Sequence, residues 1–460
     1  MANYDYDITV IGAGPGGYVA AIKAAREGKK TCIIERGSFG GVCLNEGCIP
    51  AKTLIKTANV LHEIRKAGEF GIEGVDASRV SVSMDKLQNR KASVVQKLVE
   101  GVKALLRGNK VAVVEGTASF VNAHAVTVGE RRITSEYFII ATGSEVMIPS
   151  FIKQEGGNSI LTSREALAID HIPSSIAVIG GGVIGVEFAY LFNKFGSRVT
   201  VLELMDHILP MVDEEVSDMA KKRLAKDGVT FHTGARVITV KDNAVLFEKG
   251  GKQESVKADR VLMAVGRVPA TEGLDAKEIG IEFERTAIKT DDQLRTSVPN
   301  IFAVGDVNGK IMLAHTASHE GTVAVDVICG KRARMDYGTV PSCIYLDPEI
   351  ACIGLTEKQA KEQGRSVKIG KFPMAANGKS LVEGDTDGIA KVIVDAELGE
   401  ILGVHLYGKH VTDMIAEIAV AMTLEATAEE IIHSIHPHPT VSEALPEAFM
   451  AAYGKAIHCM

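Results

Sequence analysis

The chain of 460 residues is 46% hydrophobic and carries a formal net charge of -7, with a sequence pI near 6.0. This length accommodates about three domains, each with its own core. The acidic balance, without a long run of like charges, argues against a nucleic-acid partner, and no apolar stretch approaches the roughly 18 residues that cross a bilayer.

The N-terminus and the cysteines indicate the compartment. Met1–Asp7 is polar and has neither a basic start nor an apolar run, so we expect no secretory leader. The seven cysteines are few for this length and odd in number, which argues against a secreted disulfide framework. A reducing cytoplasm fits best, and there a close cysteine pair is more often catalytic or metal-binding than structural.

The first predicted elements are a strand at Ile8–Ile11, a glycine turn and a helix at Tyr18–Arg26. The turn matches G-x-G-x-x-G, and the next strand delivers Glu35 roughly 20 residues after the glycines. Such glycines let the backbone approach a pyrophosphate at the positive end of a helix, and the acid accepts hydrogen bonds from ribose hydroxyls. The segment therefore predicts a dinucleotide site.

A close cysteine pair, Cys43 and Cys48, follows this unit between glycines. If a helix starts near Cys48, with Pro50 in its first turn, both sulfurs can meet on one face and form a short-loop disulfide. The helix N-terminus and Lys52 would lower the pKa of a thiolate once the bridge opens. Two unpaired buried cysteines are the alternative, whereas zinc would need further ligands and the nearest histidine, His62, is alone.

The strand, glycine turn and helix recur at 176–179, 180–185 and 186–195, and the following strand ends at Glu203. One such fingerprint is compatible with a tight turn that binds nothing, but the duplicated context favours two dinucleotide sites. Leu-Met-Asp follows Glu203 without a nearby arginine pair, so a 2′-phosphate would meet a carboxylate. The second site should prefer NAD to NADP.

Two more strands, 138–141 and 301–304, run into Thr142-Gly143 and Gly305-Asp306. Polar groups at the ends of parallel strands face ligand crevices in open α/β sheets, although an ordinary turn is the alternative for Gly305-Asp306. From about Gly338 onward no fingerprint appears. Alternating strands lead into helices such as 412–424, which predicts a third, α+β domain.

Near the C-terminus, two prolines hold the histidines of 433–443 in an extended segment. Glu443 can orient His438 as a general base, but Thr440-x-x-Glu443 is also a capping box in which Glu443 bonds the backbone of Thr440. Local sequence leaves the two interpretations equal. The cysteine pair favours the base, because thiol exchange needs one and nothing near Cys43 supplies it.

Together these stretches are similar to the pyridine nucleotide-disulfide oxidoreductases, in the family's order and over essentially the whole chain. The motifs that carry the resemblance are GGVCLNEGCIPAK at 40–52, ATGS at 141–144, GD at 305–306, AHTASHEG at 314–321 and HPHPTVSE at 436–443. Within the family they are most similar to the members that oxidise dihydrolipoamide.

The resemblance implies an α/β fold with two Rossmann-like domains, which bind FAD and NAD, and a C-terminal α+β dimerisation domain. The implied ranges are 1–144 for the FAD-binding domain, 145–267 for the NAD-binding domain, 268–337 for a central segment completing the FAD domain, and 338–460 for the interface domain.

The resemblance also implies residues that contact the cofactors. Glu35 would lie on the FAD ribose, Asp306 near the ribityl chain and 313–315 at the flavin pyrimidine edge, while Lys52 would pair with Glu187 beside the nicotinamide. The full implied set is Gly12, Gly14, Pro15, Gly17, Glu35, Lys52, Gly116, Thr142, Gly143, Ser144, Asp306, Met312, Leu313, Ala314, His315, Gly180, Gly182, Gly185, Glu187, Glu203 and Gly266.

The implied reaction is a relay in which the protein stores two electrons between half-reactions. His438 deprotonates dihydrolipoamide, which attacks Cys43; Cys48, nearer the flavin, becomes a thiolate, and NAD+ is the final acceptor. The histidine comes from a second subunit, so a homodimer is implied, with a lipoyl-bearing protein of a 2-oxoacid dehydrogenase or glycine cleavage system as partner. The implied catalytic residues are Cys43, Cys48, His438, Glu443, Lys52 and Glu187, with no metal.

Three departures from the family pattern affect tuning more than reaction type: Val42 and Ala51 replace hydroxyl residues, and Glu46 adds a charge beside the disulfide. We expect the penultimate Cys459 to be a free thiol. An NADPH-dependent reductase of another small disulfide or of mercuric ion is the nearest rival, but Glu203 speaks against NADPH. A redox-inactive NAD-binding or scaffold subunit is disfavoured by the intact cysteine and histidine set.

Overall fold

The computed structural model describes residues 4–150, 152–155 and 160–459, and the side chains of 153–155 are not considered. The predicted absence of a leader at the N-terminus therefore lies partly outside the described residues. In the described part of the chain, no helix combines the length and apolar character needed to span a membrane.

The first glycine turn follows the carboxyl end of a central strand in a mixed sheet whose central strands are parallel. The parallel strands, in spatial order, are Ala112–Glu115, Thr31–Glu35, Tyr6–Ile11, Arg131–Ile140 and Ile301–Ala303. Ala125–Val128 pairs antiparallel with the N-terminal part of the long strand Arg131–Ile140, and Ala118–Asn122 pairs antiparallel with Ala125–Val128. The strands at the centre are buried on both faces, as expected for a parallel sheet covered by helices.

The helices of this unit are Pro15–Arg26, Gly41–Asn45, Cys48–Arg65, Met84–Gly108 and Ala314–Ile328. The first of them begins at Pro15, three residues before the predicted start, because the helix follows the glycine turn directly and proline is favoured at the first helical position. The helix predicted near Cys48 begins at that residue. Short 3₁₀ turns lie at Ala67–Phe70, Ala77–Arg79 and Gly305–Asn308.

The second glycine turn belongs to a separate parallel sheet, ordered Thr230–His232, Arg198–Leu202, Ser175–Ile179, Arg260–Met263 and Ile160–Leu161. Helices Ser163–Leu167, Val183–Phe195 and Glu214–Lys226 accompany it, and the second begins three residues before its predicted start. An adjoining sheet contains Lys153–Glu155, Arg236–Lys241, Ala244–Lys249 and Lys252–Lys257. Two small antiparallel pairs are Ser144–Val146 with Arg267–Pro269, and Phe283–Glu284 with Ala287–Ile288.

The C-terminal part is an antiparallel sheet covered by helices. Its strands, in spatial order, are Ser342–Ile344, Glu349–Gly354, Ile401–Gly408, Ile389–Asp395 and Val367–Pro373. Its helices are Glu357–Glu362, Gly378–Val382, Val411–Thr423, Ala428–His433 and Ala444–Ala452, with 3₁₀ turns at Met374–Ala376 and Val441–Glu443. The predicted extended segment is thus shorter than expected, because His433 ends a helix and Val441 begins a turn.

These three units confirm the predicted fold class, with two Rossmann-like units and a C-terminal α+β part. The duplication is visible in the backbone. Both glycine turns connect a central parallel strand to a helix, and in both units the next strand pairs with the first in parallel. The carboxyl ends of these strands meet the ligand crevice that such sheets form.

Candidate active site

A cavity of about 1650 Å³ extends from the first glycine turn to the second and contains both cysteines of the predicted pair. This volume exceeds the few hundred to 1000 Å³ typical of one small-molecule site, which suits two adjacent dinucleotides. The predicted site residues that line it are Gly12, Gly14, Pro15, Glu35, Cys43, Cys48, Lys52, Gly116, Thr142, Gly143, Ser144, Gly180, Gly182, Glu187, Glu203, Gly266, Asp306, Met312, Leu313, Ala314 and His315.

The third glycine of each turn, Gly17 and Gly185, packs against protein instead of lining the cavity. A Cβ at either position would lie 1.9 Å from the carbonyl oxygen of the first glycine of the same turn. Only glycine lets the helix approach the turn this closely. These two residues therefore act indirectly, by letting each helix pack closely against its glycine turn.

The second glycine of each turn has no such internal reason to lack a side chain. In the described part of the chain, no atom lies within 4 Å of a Cβ added at Gly182 apart from its chain neighbours, and the nearest to one at Gly14 is at 4.0 Å. Both backbones are extended, with φ of −69° at Gly14 and −74° at Gly182, which any residue can adopt. The space above these glycines fits the pyrophosphates of FAD and NAD.

We therefore expect Gly182→Ala to leave folding and FAD content unchanged while weakening NAD+ binding roughly ten- to a hundredfold, the effect of about 1–3 kcal/mol of overpacking. Titration of NAD+ and thermal unfolding measure the two effects. Gly14→Ala is the matched control and should reduce FAD content instead. Undiminished NAD+ affinity in Gly182→Ala would show that the space serves no pyrophosphate.

The two acidic residues at the strand ends hold their glycine turns in the same way. Glu35 accepts hydrogen bonds from the backbone N–H groups of Ala13, at 2.6 Å, and Gly37, at 2.7 Å. Glu203 accepts from those of Gly181, at 2.5 Å, and Met205, at 2.7 Å. Each carboxylate thereby lies across its turn, where a ribose of a dinucleotide would follow the pyrophosphate.

Cys43 and Cys48 are brought into contact at the start of helix Cys48–Arg65. Both are free thiols in this structure, and their side chains share a hydrogen bond. That bond lowers the pKa of Cys48, with the Lys52 ammonium acting in the same direction, and together with burial it raises the pKa of Cys43. Because Cys48 is also the first residue of the helix, whose free N–H groups favour an anion, the pair loses its first proton there.

Lys52 and Glu187 form a bidentate ion pair across the cavity, with Nζ–O distances of 2.9 and 2.8 Å. Glu187 is buried, and the backbone N–H of Tyr345 also donates to it, at 3.0 Å. The Lys52 ammonium lies 4.6 Å from the centroid of the Tyr345 ring. The pair joins the cysteine helix to the helix of the second glycine turn, so a charge on Cys48 and a ligand at the second site meet the same group.

The turn that contains Gly305 and Asp306 is fixed by a buried carboxylate. Glu320 accepts hydrogen bonds from the backbone N–H of Gly305 and from Asn308, the latter at 3.0 Å, and Tyr337 donates its hydroxyl at 2.7 Å. Burial nevertheless raises the pKa of Glu320. Gly305-Asp306 is thus a real turn that also lines the cavity, so the two sequence interpretations are compatible.

Asp306 accepts a hydrogen bond from Ser144, whose Oγ in turn accepts from Arg267 at 2.7 Å. Nearby, the helix Ala314–Ile328 begins at the cavity without a side-chain cap, so its first N–H groups are available to an electron-rich ligand edge. His315 bonds the Pro341 carbonyl through Nε2, at 2.8 Å. A carboxylate and a helix N-terminus therefore border the part of the cavity nearest the first turn.

Glu443 makes both of the contacts that the sequence left as alternatives. Its Oε1 lies 2.9 Å from Nδ1 of His438, and its Oε2 accepts the backbone N–H of Thr440 at 2.9 Å. One carboxylate therefore closes the capping box and orients the imidazole. Because Nδ1 faces the carboxylate, Nε2 is the nitrogen left to accept a proton.

His438 and Glu443 are not among the described residues that line the cavity, and the His438 side chain is 77% exposed. Within one chain, the structure does not bring the predicted base to the predicted cysteines. Among the described residues, no group of three histidine, cysteine or acidic side chains is arranged to hold a metal ion.

Comparison with known proteins identifies the family. The model of the pyridine nucleotide-disulphide oxidoreductases matches residues 6–321, and that of the same family's dimerisation domain matches residues 340–449. The chain belongs to this family. The predicted boundary at 337/338 falls between the two matched ranges and stays a prediction, as do those at 144/145 and 267/268.

Relatives within the family match over nearly their full lengths. A dihydrolipoyl dehydrogenase of Bacillus subtilis (strain 168) is 42% identical over 457 residues, which are 98% of this chain and 99% of that protein. One of Geobacillus stearothermophilus is 44% identical over 459 residues, 98% of this chain and 96% of that protein. The solved structure of the HOCl-induced flavoprotein disulfide reductase RclA from Escherichia coli matches with a TM-score of 0.85 at 30% identity, covering 96% of this chain and 99% of that one.

Several residues that shape the site of this family member were not predicted from its sequence. Tyr345 and Arg267 contact predicted site residues from distant segments, and no local pattern marks them. Glu320 lies in the motif AHTASHEG at 314–321, but the sequence does not show that its side chain is buried. Glu46, expected to add a charge beside the disulfide, is paired with Arg164, with Nε–Oε2 at 2.7 Å.

Proposed function

We propose that this protein is a dihydrolipoyl dehydrogenase, which oxidises protein-bound dihydrolipoamide to lipoamide and reduces NAD+ to NADH. The observation that carries the proposal is the contact of Cys43 and Cys48 at a helix N-terminus, in a cavity shared by two dinucleotide turns. The full-length similarity to dihydrolipoyl dehydrogenases supports the choice of substrate.

The opposite pKa shifts of the two cysteines suit them to different steps of the reaction. The oxidised enzyme holds the Cys43–Cys48 disulfide. A substrate thiol loses its proton to Nε2 of His438, and the thiolate attacks Cys43; a substrate–Cys43 bond forms while the Cys43–Cys48 bond breaks. Cys48 leaves as the thiolate that its environment favours.

The second substrate thiol then attacks the first substrate sulfur. Lipoamide forms, the bond to Cys43 breaks, and Cys43 takes up the proton of that thiol, in keeping with its raised pKa. Bound FAD supplies the two-electron chemistry that links the reduced cysteine pair to NAD+. Lys52 and Glu187 hold balanced charge beside Cys48 while its own charge appears and disappears.

The proposal includes a homodimer in which His438 of a second copy completes the site. Its support is the match of residues 340–449 to a dimerisation domain, together with the exposure of His438 outside the chain's own cavity. The macromolecular partner is a lipoyl-bearing protein of a 2-oxoacid dehydrogenase or glycine cleavage system. We propose the cytoplasm as the compartment, in keeping with the small and odd number of cysteines.

A side-by-side rate comparison tests the function. We expect kcat/KM for dihydrolipoamide with NAD+ to exceed that for glutathione disulfide with NADPH by at least about a hundredfold, because Glu203 opposes a 2′-phosphate and the full-length relatives are dihydrolipoyl dehydrogenases. Replacing NAD+ by NADP+ in the first assay isolates the nucleotide preference. Equal or faster turnover of glutathione disulfide would favour the reductase of another small disulfide.

A further inference from the structure

The C-terminal tail is docked by a second imidazole–carboxylate pair. Nδ1 of His458 lies 2.6 Å from Oε1 of Glu447, and the backbone N–H groups of Ile457 and His458 donate to Oε2 at 3.0 and 3.2 Å. Glu447 is 6% exposed, so the tail supplies the partners of a buried carboxylate. The His458 side chain itself is 70% exposed.

This second pair lies beside the first. Glu443 has helical backbone angles and immediately precedes the helix Ala444–Ala452, in which Glu447 lies one turn further on. Residues at positions i and i+4 of a helix have Cβ atoms about 5–6 Å apart on the same face. The carboxylates that hold His438 and His458 are therefore neighbours.

The two pairs are close enough for the charge of one pair to affect the pKa of a group in the other. Burial works to raise the pKa of Glu443, but the Thr440 N–H and the two imidazoles, His438 and then His458, hold it below its usual range. Burial likewise opposes the hydrogen bonds of His458 at Glu447, and those bonds hold the pKa of Glu447 low. Both carboxylates are thus anions near neutral pH.

Two further titratable groups near the tail are Cys459 and Lys371. Cys459 donates its thiol to the Lys371 carbonyl at 3.9 Å, and burial raises its pKa, so it stays neutral. The Lys371 ammonium points to Glu215, at 2.7 Å. The two pairs therefore contribute two carboxylate charges and two imidazoles.

We propose that His458 is a positioning residue for His438, which sets the pH at which the proposed base accepts its proton. The inference rests on the proposed function in assigning His438 as that base. A protonated His458 offsets the charge of Glu447 and repels an imidazolium at His438, so replacing either member of the second pair changes the proton affinity of His438. Both imidazoles are exposed to water, in which two unit charges about one helical turn apart interact by roughly half a pH unit.

Histidine-labelled holoenzyme, with 13C at Cε1, reports the titration of His438 by NMR, and its signal is assigned from the His438→Gln spectrum. We expect His458→Gln, which keeps a neutral partner for Glu447, to raise the pKa of His438 by about half a unit. The acid limb of kcat/KM for dihydrolipoamide should move to higher pH by the same amount, with the alkaline plateau unchanged.

Glu447→Gln has the opposite expectation, because it removes a negative charge and destabilises the His438 imidazolium: the titration should move to lower pH. If Glu447→Gln merely released the tail, it would remove both charges of the second pair and leave the His438 titration nearly unmoved. His433→Gln is the matched control, since its Nδ1 bonds the Glu429 carbonyl and it should leave His438 unmoved. Both shifts should shrink at high salt.

An unmoved His438 titration in His458→Gln, or shifts of the same sign in both variants, would overturn the inference whatever the activity. Failure of the proposed function would give a different result. In that case the NMR shifts appear, while the wild-type enzyme does not turn over dihydrolipoamide.

Discussion

Cys48→Ser will abolish the long-wavelength absorption band that NADH produces in the anaerobic wild-type holoenzyme, and it will lower dihydrolipoamide turnover on the order of 10⁴-fold or more. The band requires a thiolate against the flavin, and Cys48 is the member of the pair that ionises first. A serine hydroxyl does not ionise near neutral pH and cannot form the disulfide. FAD content should remain, because Cys48 makes none of the glycine-turn contacts.

The pKa of Cys48 adds a pH signature to this experiment. Because the hydrogen bond with Cys43 and the Lys52 charge lower that pKa, the thiolate and its band should persist in the reduced wild-type enzyme at pH values where a free thiol, with a pKa of about 8.5, is protonated. Absorbance followed from alkaline to acidic pH measures the loss of the band.

Cys343→Ser is the matched control for Cys48→Ser. Cys343 lines the same cavity, but burial raises its pKa to about 11, so it is a neutral thiol under these conditions. Its serine variant should keep both the band and the turnover. A band that survived in Cys48→Ser would reverse the roles assigned to the two active-site cysteines.

Local patterns in the sequence were sufficient for the fold class and for both dinucleotide turns. The G-x-G-x-x-G pattern combines a strand end, close helix packing and an acid at the next strand, and each of these depends on residues that are near in sequence. The start of the cysteine helix was predicted correctly for the same reason. The helices after the turns were predicted to start late, because glycine and proline lower helix propensity where a cap begins the helix.

Contacts between distant segments explain what the sequence left undecided. Glu187 is buried on Lys52, 135 positions away, and this contact was inferred only from the family resemblance. Tyr345 donates its backbone N–H to Glu187 of that pair, a contact that no pattern of side chains in the sequence can predict. For Glu443, each of the two carboxylate oxygens binds one of the two proposed partners, so both predicted contacts are present.

His438→Gln will lower dihydrolipoamide turnover by about 10²–10⁴-fold, the usual contribution of a general base, while FAD content and the NADH-induced band remain. Glutamine keeps a polar group opposite Glu443 but cannot take a proton from the substrate thiol. The retained band separates this variant from Cys48→Ser, because reduction by NADH does not use the thiol-exchange step. Unchanged turnover would remove His438 from the mechanism.

Variants of Glu443 divide its two roles. Glu443→Gln keeps an acceptor for the Thr440 N–H but loses the charge that stabilises protonated His438, so turnover should fall, by less than in His438→Gln, with little change in thermal stability. Glu443→Ala also removes the cap, which costs about 1 kcal/mol of stability. If Glu443→Gln retained full turnover, the carboxylate would serve only as a cap, and the orientation of His438 would have to come from the rigid segment alone.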